Sequence, residues 1–189
     1  PHGQGTETTF AQLVSKELGV DPEQVKVIHG DTSLVPFGHG TAASRGTVTG
    51  ANALHVVLQE AKGKLAQVAA HILRVPAADI EFGERGLYSS QNPQQLTTFS
   101  DVASAAHSEE DLPPEVSVGL DFSGSFTLPS TPFGFGAHVV VVQVDPGTGE
   151  IKILRYTAVH DCGRIINPTL EDGQIHGAIA QGVGQALSE

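Results

Sequence analysis

Three short stretches of this chain combine glycine with side chains that hydrogen-bond well. The first is His2-Gly3-Gln4-Gly5-Thr6-Glu7-Thr8-Thr9, with an amide side chain between two glycines. The second is Gly40-Thr41-Ala42-Ala43-Ser44-Arg45-Gly46-Thr47, and the third is Gly173-Gln174-Ile175-His176-Gly177. Glycine lets backbone come close to a ligand, and the amides and hydroxyls can bond to it. The first stretch runs straight into an apolar-periodic segment and the second leads into a longer one. Both therefore put backbone N–H groups at helix starts, where an anion such as a phosphate is favoured. Each stretch also has a plainer reading. A lone Gly-x-Gly is usually a helix entry, residues 42–47 could be a Ser/Thr-capped start, and Gln174 could be a solvated helix residue. A glutamine between glycines is nonetheless an odd choice for a turn and a good partner for a heterocycle edge or a phosphate.

Other chemistry finds less support. His160 stands near Cys162, the single cysteine, but Gly163 and Pro168 place the end of a strand there. The histidine is not expected to reach the thiol in an activating geometry, and an isolated thiol is ordinarily inert. The nine histidines show no HxH, HxxxH or CxxC-linked spacing, so no protein-ligated metal is expected. There is neither a GxGxxG after a strand nor a GxxxxGK[ST] loop, which leaves nicotinamide and P-loop nucleotides without support.

The elements that must hold these loops can be read from periodicity. Phe10, Leu13, Val14 and Leu18 have helical spacing, with Gly19 as a stop. Asp21-Pro22-Glu23-Gln24 starts a helix too short to be more than a turn, and Val25-Lys26-Val27-Ile28 reads as a strand. The longest helix is expected over residues 48–75, with a stripe of Leu54, Val57, Leu58, Ala61, Leu65, Val68, Ile72 and Leu73, ended by Pro76. A small hairpin follows at 80–82 and 86–88. A short helix opens at 96–100, capped by Thr98 or Ser100, and runs to Ala106. The acidic stretch 107–115, with Pro113-Pro114, is the expected linker, dividing the chain into residues 1–110 and 111–189. A strand is expected over 118–126. A hairpin follows from 137–144 through Asp145-Pro146-Gly147-Thr148-Gly149 to 150–159. The last helix is expected over 170–187. Strands and helices without regular alternation predict an α+β fold, a mixed sheet with packed helices. The long helix is expected on a sheet that includes the 137–159 hairpin, and Gln4, Ser44 and Gln174 are expected to line one cleft.

Composition bounds the function. The chain has 189 residues, 39% hydrophobic and 16% charged, enough for a packed core. Its formal net charge of -11 opposes nucleic acid and anionic membranes as partners. No apolar run is long enough to span a bilayer. One cysteine excludes an internal disulfide framework and suits a reducing, cytoplasmic setting. The first residue is Pro1, and the chain is expected to be a piece of a longer protein.

Five motifs stand in order along the chain. They are Pro1-His2-Gly3-Gln4-Gly5-Thr6-Glu7-Thr8-Thr9-Phe10-Ala11-Gln12; the second loop above; Phe133-Gly134-Phe135-Gly136-Ala137-His138; Asp161-Cys162-Gly163-Arg164-Ile165-Ile166-Asn167-Pro168; and Glu171-Asp172-Gly173-Gln174-Ile175-His176-Gly177-Ala178-Ile179-Ala180-Gln181-Gly182. In this series the chain closely resembles the large, molybdenum-binding subunit of the molybdenum hydroxylases, the family of xanthine dehydrogenase, aldehyde oxidase and aerobic carbon monoxide dehydrogenase. Residues 2–9 and Ser44-Arg45 bring it nearest the carbon-monoxide-dehydrogenase-like branch. The resemblance implies a molybdopterin cofactor, in bacteria usually the cytosine dinucleotide form, whose own sulfurs hold the molybdenum. It implies that Gln4 with Gly5, the loop Ala43, Ser44, Arg45, Gly46 and Thr47, Gln174, and Cys162 by its place in a matching motif contact that cofactor. It implies partner subunits carrying iron–sulfur clusters and FAD, in a dimer of heterotrimers, and a small substrate oxidised with water as oxygen source. That substrate is carbon monoxide or, alternatively, an aldehyde or N-heterocycle of the xanthine type. A non-catalytic anion- or nucleotide-binding module is the reading of a different class. The family's catalytic glutamate falls beyond residue 189, so no catalytic residue is expected within this chain, and the polypeptide is expected to be silent alone.

Overall fold

The computed structural model describes residues 2–35, 38, 40–130 and 132–189. The chain divides into two compact units, Pro1–Thr127 and Leu128–Glu189.

In the first unit, α1 (Thr6–Leu18) ends at Gly19, whose φ of 75° is left-handed and whose N–H bonds to the Ser15 carbonyl. A single 3₁₀ turn at Pro22–Gln24 follows, with the Asp21 side chain accepting the Glu23 N–H at 2.9 Å. The strand expected at 25–28 does not form: those residues pair with no strand among the described residues, and an apolar alternation makes a strand only where a free edge receives it. Helix α2 (Gly46–Leu73) carries the expected stripe, with Leu58, Ala61, Leu65, Val68, Ala69, Ala70 and Leu73 buried. It stops at Arg74, itself left-handed at φ 56°, and the Gln95 amide donates to the otherwise orphaned Leu73 carbonyl.

Strands β1 (Ile80–Gly83), β2 (Gly86–Ser89) and β3 (Asn92–Thr97) form an antiparallel sheet in that order. The third strand lies where the sequence suggested a helix start. The helix, α3 (Phe99–Ala106), waits for Thr98, whose Oγ1 accepts the Asp101 N–H at 3.1 Å while Asp101 accepts the Thr98 N–H at 3.3 Å. This reciprocal box fixes the boundary that periodicity alone placed too early. The core joins Leu65, Val68 and Ala69 of α2 to Leu87 of β2, to Val102, Ala105 and Ala106 of α3, and to Leu112.

Val116 and Leu120 also pack against this core, and the Gly119 N–H bonds to the Ala106 carbonyl at 2.8 Å. The first unit therefore continues through the acidic stretch, and the division falls at 127/128 instead of 110/111. Charge and proline marked a linker, but the apolar residues interleaved with them are recruited by the core. Residues 118–126 are not a strand; Gly124 instead lies so close to Val57 of α2 that a Cβ would come within 2.8 Å of its Cγ2.

The second unit is a long hairpin and a helix. Strand β4 (Phe135–Val144) pairs antiparallel with β5 (Ile151–Asp161), with a register shift at Val141/Val142. Asp145 Oδ1 ties the turn by accepting the N–H groups of Gly147 at 2.7 Å and Thr148 at 3.1 Å. Helix α4 (Pro168–Ser188) shares with the hairpin an apolar cleft of about 320 Å³ lined by Val140, Val142, Tyr156, Val183 and Leu187. The run Val139-Val140-Val141-Val142 lacks the alternation of a half-solvated strand, yet Val139 is 64% exposed.

The α+β class stands as expected. Every strand pair among the described residues is antiparallel, so the sheets are not mixed in direction, because each connection between paired strands is a short turn. The long helix packs on α1, α3 and the β1–β3 sheet of its own unit, while the 137–159 hairpin is a separate sheet.

Candidate functional site

The first loop is built around its glutamine. Gly3 (φ 96°) and Gly5 (φ 77°) are both left-handed, and the Gln4 Oε1 accepts the His2 N–H at 2.5 Å. The side-chain carbonyl is thereby used inside the loop. Gly5 is the N-cap of α1, and no side chain caps that helix. Glu7 in its first turn meets His29 Nε2 at 2.6 Å, and Thr9 Oγ1 donates back to the Gly5 carbonyl at 3.0 Å.

The second loop departs from the Ser/Thr-capped start. Arg45, not Ser44 or Thr47, occupies the N-cap of α2, and no side chain caps it. Ala43 (φ 51°) and Ser44 (φ 56°) are successive non-glycine residues in the left-handed region. Such a conformation costs an L-residue about 1–2 kcal/mol, and strain of this kind concentrates at functional loops. Ala43, Ser44, Arg45 and Thr47 are exposed, and Gly46 is half-buried.

Packing brings these two loops together. Phe10, in the second turn of α1, lies on Gly50, where an added Cβ would come within 2.5 Å of the ring. Further along, Glu17 accepts from Lys62 Nζ at 3.1 Å, and this hydrogen bond is the leading cause that lowers the Glu17 carboxyl. Moving from 10 to 17 on α1 moves from 50 to 62 on α2, so the helices run parallel. Their N-terminal ends, and the loops at Gln4–Gly5 and 43–47, lie on the same side. Aligned helix dipoles put two sets of unbonded N–H groups there.

The third group lies in the second unit. After β5, Asp161 Oδ1 accepts the Gly163 N–H at 3.0 Å, and Asn167 Oδ1 caps α4 by accepting the Leu170 N–H at 3.1 Å. The Cys162 thiol donates to Glu171 Oε1 at 3.2 Å. That hydrogen bond, with a smaller contribution from desolvation, pushes the thiol above its ordinary range. His160 turns elsewhere: its ring meets His138 edge-on at 4.8 Å, and His138 Nδ1 pairs with the Tyr156 hydroxyl at 2.9 Å. The thiol thus has a carboxylate acceptor in place of an imidazole base, which does not activate it. Gln174 is exposed on α4, one turn beyond Glu171.

The Phe10–Gly50 and Cys162–Glu171 contacts are among those that escaped the sequence reading. The Phe10–Gly50 approach leaves no signal beyond a glycine early in a helix. Glu171 could have been noticed from its i, i+3 relation to Gln174. Volume is a poor guide here. An open cleft of about 910 Å³ lies at the far end of α2, beside His71, Arg74, Asp101 and Glu110, and none of the expected site residues lines it. Among the described residues no group of three or more His, Cys, Asp or Glu side chains could hold a metal ion.

The chain matches known proteins along its whole length. The model of the molybdopterin cofactor-binding domain matches residues 1–189. The chain is 34% identical to the carbon monoxide dehydrogenase large chain of Hydrogenophaga pseudoflava, over 99% of this chain and 23% of that protein. It is 32% identical to the nicotine 6-hydroxylase large subunit of Paenarthrobacter nicotinovorans, over 99% of this chain and 23% of the relative. Its fold matches the crystal structure of quinoline 2-oxidoreductase from Pseudomonas putida 86 with a TM-score of 0.89 at 31% identity, covering 98% of this chain and 24% of that one. The chain thus spans about a quarter of the length of the proteins it matches. Uncapped parallel helix starts, strained small-residue loops and a family model matched from end to end lead to one conclusion: the chain belongs to the molybdopterin cofactor-binding domain family of the molybdenum hydroxylase large subunits.

Proposed function

We propose that this chain holds a molybdopterin cofactor, in its cytosine dinucleotide form, within a carbon-monoxide-dehydrogenase-like enzyme that oxidises a small substrate with water as oxygen source. The observation that carries the reading is the pair of parallel helices α1 and α2, whose starts lack side-chain caps and follow left-handed small residues. A Cβ built at Gly3 or Gly40 would meet nothing within 4 Å, so the loops leave open space for a bulky anionic group. The residues fit the cofactor. Gln4 and Gly5 approach its pterin and phosphate region, with the Gln4 Oε1 already held by the His2 N–H and its Nε2 left as the donor for the ligand among the described residues. Ala43, Ser44, Arg45, Gly46 and Thr47 supply N–H groups, a hydroxyl and a guanidinium to the phosphates. Gln174 supplies a second amide, and Cys162 supports it from the turn before α4. The chemistry such a cofactor supplies is oxidation of substrate at its metal, with electrons leaving through iron–sulfur and FAD subunits in a dimer of heterotrimers in the cytoplasm. None of the residues named here acts as base or nucleophile, so the polypeptide alone is silent.

Nicotine and quinoline in the names of relatives favour, as a second reading, an N-heterocycle as substrate. The family match does not favour a non-catalytic nucleotide-binding module.

The test is the molybdenum and CMP content of the purified large subunit. Gln4→Ala and Gln174→Ala are each expected to weaken cofactor binding roughly 5- to 150-fold, the equivalent of about 1–3 kcal/mol for a buried ligand group left unpaired. Full occupancy in both variants would refute the assignment. Turnover of carbon monoxide, an aldehyde or a purine by this polypeptide alone would refute the claim that it is silent.

A further inference from the structure

We propose that Cys162 and Glu171 act as positioning residues for Gln174. In this reading the thiol–carboxylate hydrogen bond clasps the turn after β5 onto the first turns of α4, and the thiol does not itself touch the cofactor. The inference rests on the assignment of Gln174 as a cofactor contact.

The geometry is local to the second unit. The turn at 161–164 is held at one end by β5 and tied internally by the Asp161–Gly163 bond. Asn167 caps α4, which determines where the helix starts. A cap leaves the rotation of the helix about its own axis, relative to the strand it follows, open. The Cys162–Glu171 bond at 3.2 Å spans from the turn to the helix and constrains that rotation. Glu171 is half-buried, and Gln174 lies three residues on. Residues at i and i+3 share a helix face, so aiming Glu171 at the turn aims Gln174 along the same side. The thiol donates in this bond and must keep its proton. The charged groups beside it, Glu171 and Asp161, are both anionic and favour the protonated form. A protonated thiol bonded to a carboxylate is a structural link, not a nucleophile or a soft-metal ligand.

The experiment uses the large subunit that carries this chain, prepared free of cofactor. Iodoacetamide alkylation at neutral pH is followed by mass spectrometry of the tryptic peptide 156–164, which contains Cys162. Folded protein is expected to react more slowly at this site than protein unfolded in urea. Glu171→Gln is expected to raise the rate several-fold and to move its pH profile to lower pH, while the adjacent Asp172→Asn leaves both unchanged. An unchanged rate in Glu171→Gln, or an equal rise in Asp172→Asn, would overturn the clasp.

A second measurement reads positioning. In the loaded subunit, Cys162→Ser, whose hydroxyl can still donate to Glu171, is expected to keep most of its molybdenum and CMP, and Cys162→Ala to lose several-fold more. Equal loss in both would show that the sulfur itself meets the cofactor. If the wild-type subunit contains no molybdopterin nucleotide, the cofactor assignment fails, whereas the alkylation result still judges the clasp on its own.

Discussion

Replacing Gly19 with alanine tests whether the end of α1 holds the first loop in place. Gly19 has a left-handed φ of 75°, which alone costs an alanine about 1–2 kcal/mol. Its added Cβ would stand 2.9 Å from both the carbonyl carbon and the oxygen of Gly83. Those are backbone atoms at the end of β1, so no rotamer relieves the overlap and the helix must move off the hairpin. Forced repacking of this kind costs about 1–3 kcal/mol. The expected loss is therefore roughly 2–5 kcal/mol in the stability of the first unit. Gly63→Ala is the matched comparison. Gly63 is exposed within α2, and a Cβ there meets nothing within 4 Å. The same substitution should stabilise by about 0.5–1 kcal/mol through helix propensity. Urea denaturation followed by circular dichroism, with equal m-values as the check on two-state behaviour, measures both. Opposite signs are the expected result. A neutral Gly19→Ala would mean that α1 does not sit on Gly83 as described, and the parallel placement of α1 and α2 would lose one of its supports.

Leu87→Ala removes a side chain with no exposed surface from the centre of the core and is expected to cost about 2–5 kcal/mol in the same denaturation experiment. Ser44→Gly relieves a left-handed φ of 56° and is expected to stabilise the unit by about 1 kcal/mol while lowering cofactor content, since the hydroxyl is lost; stabilisation with full cofactor content would remove Ser44 from the binding loop. The Glu17 carboxyl is held below its ordinary range by Lys62, so its contribution is present above the unfolded carboxyl range and disappears as pH falls through the lowered value. Glu17→Gln should thus cost less than about 1 kcal/mol at pH 7, because the pair is partly exposed, and nothing under strongly acidic conditions. A constant difference from pH 7 down to pH 2 would rule out the ion pair as its source.

Local order determined much of this protein. The stripe from Leu54 to Leu73 and the stop at Pro76 predict α2 to within two residues at each end. The strand-like runs on either side of Asp145-Pro146-Gly147-Thr148-Gly149 predict the β4–β5 hairpin, and the two candidate caps, Thr98 and Ser100, bracket the start of α3. These are signals whose physics acts over one or two turns of chain: amphipathic period, turn chemistry and capping. The motifs around Gln4, Ser44 and Gln174 were also legible as a family resemblance, and the family match over residues 1–189 bears that resemblance out. What tertiary structure decided is everything that depends on a neighbour distant in the chain. Residues 25–28 and 118–126 have strand-like composition but pair with no strand among the described residues, while Asn92, a poor strand former, pairs with Ser89 of β2. The acidic stretch after Ala106 reads as a linker until Leu112, Val116 and Leu120 find the core. Ala43 and Ser44 take a backbone conformation that neither residue prefers. The meeting of Phe10 with Gly50 and of Glu17 with Lys62, residues that no periodicity connects, sets two helix starts side by side.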